Sequence, residues 1–364
     1  MRLGDSESLY QYKGGNSMKL AIIGTGKIVH EALFALEPVD RVEVVAIFAR
    51  PHSKEKAEAL AEKYGIGEVY TDYDELLAKS DAQAVYIGLV NSAHFPYAKK
   101  ALLAGKDVIL EKPLTTTAAE AKELAALTKE TGKYVLEAIT TMHSQIFDLM
   151  QEELPNLGNI RSAQLNYSQY SSRYTDYLAG KVAPAFDPEC SGGALYDINL
   201  YNVYFVVGLL GSPETATYFP NRGFNGIDTS GTAILTYPTF NAVCTGAKDS
   251  DSPCFSIIQG EKGWMRVNGK PNVMTGLDVE VVDEENPRQV PSASGGMQRA
   301  VITRHHEADP VHHRMTREFG DFARIIEERD DEAAAKAIAT SVEVMTVLET
   351  ARKAAGIRFG VDAD

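Results

Sequence analysis

The sequence predicts an α/β plus α+β protein. An N-terminal Rossmann domain, a doubly wound parallel sheet, precedes a C-terminal domain with a large, open, mostly antiparallel sheet and helices. Three observations carry this reading. From Met18 to about Ala138, short β-branched runs alternate with amphipathic helical stretches. After Ala138 the texture changes to longer alternating strands linked by Gly, Pro, Asn and Asp. A chain of 364 residues is also too long for one ordinary core. The expected division is a flexible leader over 1–17, a dinucleotide-binding domain over 18–140 and a substrate-binding and oligomerisation domain over 141–364.

The first five strands read KLAII, VEVVAIF, AVYIGLV, DVILE and YVLEA, with helical segments such as SKEKAEALAEKYG and AAEAKELAALTKETG between them. Strands apolar on both faces and joined by helices stack as a parallel sheet. Thr117 and Glu120 have the spacing of a capping box, which marks a helix start. Beyond Ala138 a helix around HSQIFDLMQEEL leads to the strands IRSAQLNYSQY, TATYF, GTAILTY, NAVCTG, CFSIIQG, GWMRV and LDVEVV. A helix from about Leu195 to Leu210 interrupts them, and REFGDFARIIEE and AAAKAIATSVEVMTVLETARKA close the chain.

A net charge of -14 argues against a nucleic-acid partner, because phosphate binding needs clustered Lys and Arg. No apolar run approaches membrane-spanning length, so no membrane partner is expected. The opening MRLGDSESLYQYKGGNS lacks the basic start and apolar core of a signal peptide. Cys190, Cys244 and Cys254 are odd in number and without CxxC spacing, as expected of reduced thiols in a cytoplasmic protein.

AIIGTGKIV places Gly24 and Gly26 directly after the first strand and at a helix start. Glycine there lets backbone N–H groups approach a pyrophosphate, so Gly24, Thr25, Gly26, Lys27 and Ile28 form the candidate cofactor loop. Val29 replaces the fingerprint's third glycine, and an ordinary tight turn is the competing reading. The second strand ends in AIFARPHSKEK, without the acid that an NAD site commonly offers to the ribose. Arg50, followed by Ser53 and Lys54, favours NADP through its 2′-phosphate, with NAD as the alternative. Glu111 and Lys112 close a later parallel strand, at the sheet edge where ligands sit. A lysine beside a nicotinamide holds a substrate hydroxyl and exchanges its proton, and Pro113 restricts the backbone around it. A surface salt bridge between the two neighbours fits the same spacing.

GTGKIV, NSAHFPYAKKALLAGKDVILEKPLTTT and SGGALYDINLYNVYFVVGLLG together resemble the Gfo/Idh/MocA family (glucose-fructose oxidoreductase, inositol dehydrogenase, rhizopine catabolism). The resemblance runs from Met18 to about Phe359 and includes IIQGEKGWMRV. It implies that Lys112 is catalytic and that the bond before Pro113 is cis. It also implies that Asp197 and Tyr201 of YDINLYN meet one substrate, and that Asn91, His94 and Glu111 lie at the cofactor. Tyr201 stands where the family often has histidine, which is similar to the glucose-fructose oxidoreductase and dimeric dihydrodiol dehydrogenase branches. Near a lysine and a cationic nicotinamide, its phenol is expected to have a lowered pKa and to relay a proton. Arg173, Tyr170 and Asn202 are candidates for the substrate pocket, although aromatics near strands also serve packing. RHHEADPVHHRM has no common zinc spacing; it reads as a polar loop near the active-site mouth, and no metal is expected.

The function expected is hydride transfer between NADP and a secondary alcohol or carbonyl of a small sugar, polyol or diol. Lys112 orients the hydroxyl, Tyr201 relays the proton and Asp197 fixes the geometry. The alternatives are an NAD-dependent glycoside hydrolase of the same superfamily and a cofactor-sensing regulator. The open sheet is expected to pair copies into a homodimer or homotetramer.

Overall fold

The computed structural model describes residues 17–286 and 289–362. Of the expected leader, only Ser17 lies among them.

The first sheet is built from β1 (Met18–Ile23), α1 (Lys27–Leu36), β2 (Val42–Phe48), α2 (Lys54–Tyr64), β3 (Glu68–Tyr70), α3 (Tyr73–Lys79), β4 (Ala84–Ile87), α4 (His94–Leu103), β5 (Asp107–Glu111), α5 (Ala118–Thr131) and β6 (Val135–Ala138). All six strands run parallel, in the order β3-β2-β1-β4-β5-β6. Successive residues bury opposite faces: Leu20, Ile22, Ile47 and Ile109 on one, Ala21, Ile23, Val85 and Leu110 on the other. That double burial is why these strands read as unbroken apolar runs. The capping box at the start of α5 is formed in both directions. The order reverses between β1 and β4, which opens a crevice at the carboxyl ends of the strands.

The second half contains α6 (Gln145–Glu153), β7 (Ile160–Ser168), α7 (Tyr174–Leu178), α8 (Leu200–Leu210), β8 (Thr215–Arg222), β9 (Asp228–Thr236), β10 (Asn241–Ala247), β11 (Phe255–Gly260), β12 (Gly263–Lys270), β13 (Val273–Val282), β14 (Gln289–Pro291), β15 (Met297–Arg299), β16 (Val301–Glu307), α9 (Thr316–Glu328) and α10 (Asp331–Ala354). Eight strands form one sheet in the order β16-β13-β12-β11-β7-β10-β9-β8. Only β7 and β10 pair in parallel within it; β14 and β15 form a separate hairpin. Helix α8 lies on this sheet, preceded by a π-helical turn over Leu195–Asn199. The last two helices return to the first sheet. Phe319, Phe322 and Ala323 of α9 pack with Leu20, Ile22 and Ile47, and α10 lies against α5, α8 and β6.

Two expectations need correction. RHHEADPVHHRM is not one loop, since His305 and His306 belong to the edge strand β16, which the preceding β-branched Val301-Ile302-Thr303 begins. There His305 meets Asp278 at 2.6 Å, whereas His312 stacks on Phe34 with ring centroids 4.3 Å apart. An apolar run of membrane-spanning length does exist among the described residues, Pro188–Leu210. The fold buries 78% of its apolar window, with the π-helical turn and α8 forming its residues 195–210.

Candidate active site

A cleft of about 690 Å³ follows the carboxyl ends of β1, β2, β4 and β5 and is closed from above by the segment between β7 and α8. At one end lies the turn after β1. Gly24 has φ +119°, and a Cβ there would stand 2.6 Å from the carbonyl oxygen of Gly88, so only glycine lets this turn pass the loop after β4. The missing third glycine is compensated from the opposite side. A Cβ on Gly88 would meet Val29 Cγ2 at 2.9 Å, so Gly88 provides the close helix–sheet approach that a glycine at 29 would otherwise allow. No side chain caps α1, whose first turn faces the cleft through Gly26, Lys27 and Ile28. Beyond β2 the lining consists of Arg50, Ser53 and Lys56. Neither Arg50 nor Lys56 is paired with an acid among the described residues, while Lys54 turns aside to Glu58 at 3.3 Å. A glycine turn, open backbone donors and free cations at the end of β2 fit a dinucleotide with a phosphorylated ribose.

The other end of the cleft is built around Lys112. Its peptide bond to Pro113 is cis. Behind that bond His94 is fully buried, with Nδ1 2.8 Å from the carbonyl oxygen of Pro113 and Nε2 3.2 Å from that of Leu89. Burial depresses the imidazole below its ordinary pKa, so it is neutral and has one N–H to donate. The closer oxygen, that of Pro113, is the better acceptor. Glu111 does not pair with the ammonium of its neighbour. It accepts the hydroxyl of Tyr86 at 2.7 Å and the backbone N–H of Lys112 at 3.3 Å, and burial raises its pKa.

Lys112 Nζ instead crosses to the π-helical turn. It donates to Asp197 Oδ1 at 2.8 Å and to the Asp197 carbonyl oxygen at 3.0 Å, and stands 5.2 Å from the ring centroid of Tyr201. An ammonium has three N–H donors, so one is left for a guest in the cleft. The second oxygen of Asp197 is taken by another lysine, with Lys248 Nζ 2.7 Å from Oδ2. Burial opposes every charge in this group. The two lysines outweigh it at Asp197 and hold the carboxyl well below its usual range. Against the same penalty, Asp197 and then Tyr201 keep Lys112 above the ordinary lysine value. Burial prevails at Lys248, whose pKa is lowered. It prevails at Tyr201 too: the phenol is raised although Lys112 and Arg314 pull it down. The expected lowering of the tyrosine is therefore not found. Its ring is buried against Tyr167, centroids 5.8 Å apart, where a phenolate is poorly solvated.

Of the expected residues, the structure brings Gly24, Thr25, Gly26, Lys27, Ile28, Arg50, Asn91, Glu111, Lys112, Arg173, Asp197 and Tyr201 to this one cleft. Asn91 also ties the loop after β4 to the far wall, donating to the carbonyl oxygen of Ser191 at 2.9 Å. Three residues are placed elsewhere. His94 lies behind the cleft wall, and Tyr170 is exposed, its hydroxyl 3.1 Å from Thr175 Oγ1. Asn202 is buried in the core, donating to Asn199 Oδ1 and to the carbonyl oxygen of Thr245, both at 2.9 Å.

Comparison with known proteins agrees with this architecture. Residues 18–138 match the Gfo/Idh/MocA family, described as an oxidoreductase family with an NAD-binding Rossmann fold. The chain is 29% identical over 345 residues to the scyllo-inositol 2-dehydrogenase (NADP(+)) IolU of Bacillus subtilis, covering 95% of this chain and 99% of that one. It is 30% identical over 262 residues to the trans-1,2-dihydrobenzene-1,2-diol dehydrogenase of Xenopus tropicalis, covering 68% and 74%. The fold matches KijD10, a 3-ketoreductase from Actinomadura kijaniata solved with NADP and TDP-benzene, with TM-score 0.75 and 23% identity over 93% of this chain and 98% of that one.

The chain belongs to the Gfo/Idh/MocA family. It is an NAD(P)-dependent oxidoreductase of that family. Sequence reasoning about this family member missed two cations of the site. Lys248 is 2% exposed and follows β10, so its signal was a lysine closing an apolar strand, the same signal that singled out Lys112. Arg314 lines the cleft from the loop before α9 and pairs with Glu31 of α1 at 2.6 Å. Nothing local in VHHRM marks it, because its partner is remote in sequence.

Proposed function

We propose that this oxidoreductase transfers hydride between NADP and a secondary alcohol or carbonyl of a sugar, polyol or related diol, with Lys112 as the proton-exchanging residue. The observation that carries the proposal is the ammonium of Lys112. It is fixed by two bonds to Asp197, with its third donor free, in the same cleft as the Gly24 turn. The bound nicotinamide supplies or accepts the hydride. In reduction, Lys112 Nζ donates its free N–H to the carbonyl oxygen and yields that proton as the alcohol forms; in oxidation, the neutral amine accepts it. Asp197 holds the amine on its line of approach, and Tyr201 closes the side of the pocket as a neutral phenol able to donate a hydrogen bond. Arg50 and Lys56 favour NADP over NAD, and the names of the inositol dehydrogenase and of the NADP-bound ketoreductase support that choice.

The proposal divides the labour between residues 18–140, which hold the nucleotide, and 141–364, which shape the substrate pocket. It also includes a cytoplasmic protein, paired as a homodimer or homotetramer through the sheet face that carries Ser162, Gln164, Thr232 and Thr245. The test is a screen of inositols, sugars, diols and their ketones at 340 nm with each cofactor, alongside Lys112→Met. The expected outcome is turnover with NADP that Lys112→Met abolishes while NADPH still quenches or shifts protein fluorescence on binding. Undiminished turnover by Lys112→Met removes Lys112 from the chemistry.

A further inference from the structure

Asp197 is shared between two lysines, and the proposed proton exchange uses only one of them. Lys248 has no access to the cleft: it is 2% exposed, with Nζ 2.7 Å from Asp197 Oδ2, 2.5 Å from the carbonyl oxygen of Ala185 and 4.2 Å from the centroid of Phe186. Its backbone is pinned at both ends. Its N–H donates to the carbonyl oxygen of Thr229, and its own carbonyl accepts the N–H of Ser171, so the ammonium is set by the junction of β7, β9 and β10. A buried cation is expensive unless something uses its charge. A donor to Ala185 and Asp197 alone could have been a neutral amide.

We propose that Lys248 is a positioning residue for proton transfer: by occupying Oδ2 of Asp197 it orients the carboxylate that carries Lys112 and weakens that carboxylate's hold on the lysine's proton. This rests on the reading of Lys112 as the proton-exchanging group. With Lys112 alone on Asp197, the ion pair would hold the proton more firmly still, and the neutral amine that alcohol oxidation needs would be rarer. A second cation across the carboxylate divides its field. Oxidation then balances as follows: the carbinol C–H leaves as hydride to NADP, the O–H proton passes to the neutral Lys112 amine, and the C–O single bond becomes C=O.

Other charges around the pair do not replace this function. Facing Lys112 are Asp197 and Tyr201 from the π-helical turn and α8, Glu111 from β5, Tyr167 from β7, His94 from α4 and Lys248 from beyond β10. Glu111 is engaged by Tyr86, and His94 is neutral and turned to Pro113. Facing Lys248 are Asp197, Lys112 and Asp228 of β9. Asp228 spends Oδ2 on the backbone N–H of Leu195 at 2.6 Å and the hydroxyl of Tyr218 at 2.8 Å. Arg314 acts on Tyr201 and is tied to Glu31. Lys248 is the one cation in contact with the far side of Asp197 among the described residues.

Like charges on opposite oxygens of one carboxylate, roughly 6 Å apart, shift each other's protonation by about one to two pH units at an effective dielectric of about 20. Removing Lys248 should therefore make Lys112 at least about tenfold less often neutral at a given pH. The test is the rate at which acetic anhydride acetylates Lys112 in the full chain at pH 8.5, read by mass spectrometry of the Lys112 peptide. Lys248→Met and Lys248→Arg are compared with the unaltered protein. The expected result is a tenfold or greater slowing in Lys248→Met and an unchanged rate in Lys248→Arg. Lys248→Gln, which keeps a donor without the charge, gives the same reading should Lys248→Met fail to fold. An equal Lys112 rate in all folded variants overturns the proposal and leaves Lys248 a purely structural strut. The outcome is separable from that of Lys112→Met: if Lys112→Met abolishes turnover while acetylation ignores Lys248, only the role of Lys248 falls.

Discussion

Replacing Asp197 by asparagine should destabilise the fold, and the amount should depend on Lys248. The carboxylate receives Lys112 on Oδ1 at 2.8 Å and Lys248 on Oδ2 at 2.7 Å, and the two arms differ in burial: the Lys112 side chain is 17% exposed and that of Lys248 2%. In Asp197→Asn one oxygen becomes an amide NH₂, so a donor faces a donor on one arm, and no negative charge remains for either ammonium. Stranding a buried cation in this way costs about 3–5 kcal/mol, and the retained acceptor brings the expectation to about 3 kcal/mol. Spread over 364 residues, that lowers the unfolding midpoint by about 4 °C. Lys248→Met leaves Asp197 paired with Lys112 and should lose about 2 kcal/mol. In the double variant the stranded cation no longer exists, so the loss should be about 3 rather than 5 kcal/mol, a coupling of about 2 kcal/mol. Calorimetric midpoints of the four proteins at pH 7.5 close the cycle, with tryptophan emission from Trp264 as an independent probe. Strict additivity would refute the reasoning, since it would mean that Lys248 does not feel the charge on Asp197.

Two further perturbations probe the opposite end of the cleft and its rear wall. Arg50→Ala should raise the KM for NADP about 10- to 100-fold, the worth of one charge-assisted bond to a phosphate, and leave the KM for NAD nearly unchanged; initial rates at 340 nm decide, and an equal rise for both cofactors would place Arg50 elsewhere. Glu137 accepts the backbone N–H of Leu114 at 2.8 Å and the hydroxyl of Tyr204, and burial raises its pKa from 4.5 to about 7. The folded state then holds this proton more tightly than the unfolded chain, so its contribution is complete below about pH 4.5 and is lost as pH rises to about 7, amounting to roughly 3 kcal/mol. Glu137→Gln should flatten the decline in unfolding midpoint between pH 5 and pH 8; an unaltered decline would show that another group causes it.

The legible parts of the fold were those with their own local signature. β1, β4, β5, β6 and the second half of β2 are buried on both faces and announce themselves as apolar runs, whereas β3 has only Glu68, Val69 and Tyr70, too few residues to carry a period. β16 was hidden for another reason. It is an edge strand whose exposed side chains include Thr303, His305 and Glu307, with Arg304 and His306 half-buried between them, and a polar edge looks like a loop when only composition is read.

The site divides along the same line. Gly24 and Lys112 stand at strand ends, one in a turn that must pass Gly88 and the other after a buried strand, so chain position raised them as candidates, and the family resemblance was needed to choose Lys112 over a surface salt bridge. Asn202 shows where that logic fails. It follows Tyr201 directly, but one step along a helix turns a side chain by about 100°, which carries it from the cleft to the β10 backbone. Tyr170 lies past the end of β7, so the alternation that points Tyr167 at Tyr201 no longer applies to it. The phenol of Tyr201 was expected to be acidified by a cationic nicotinamide and by Lys112, which is visible in the sequence. Its burial is not, and burial decides the direction. Lys248 combines both difficulties: its position at a strand end was legible, but its partner Asp197 lies on another element, and only the folded chain brings the second ammonium to the carboxylate that steers the first.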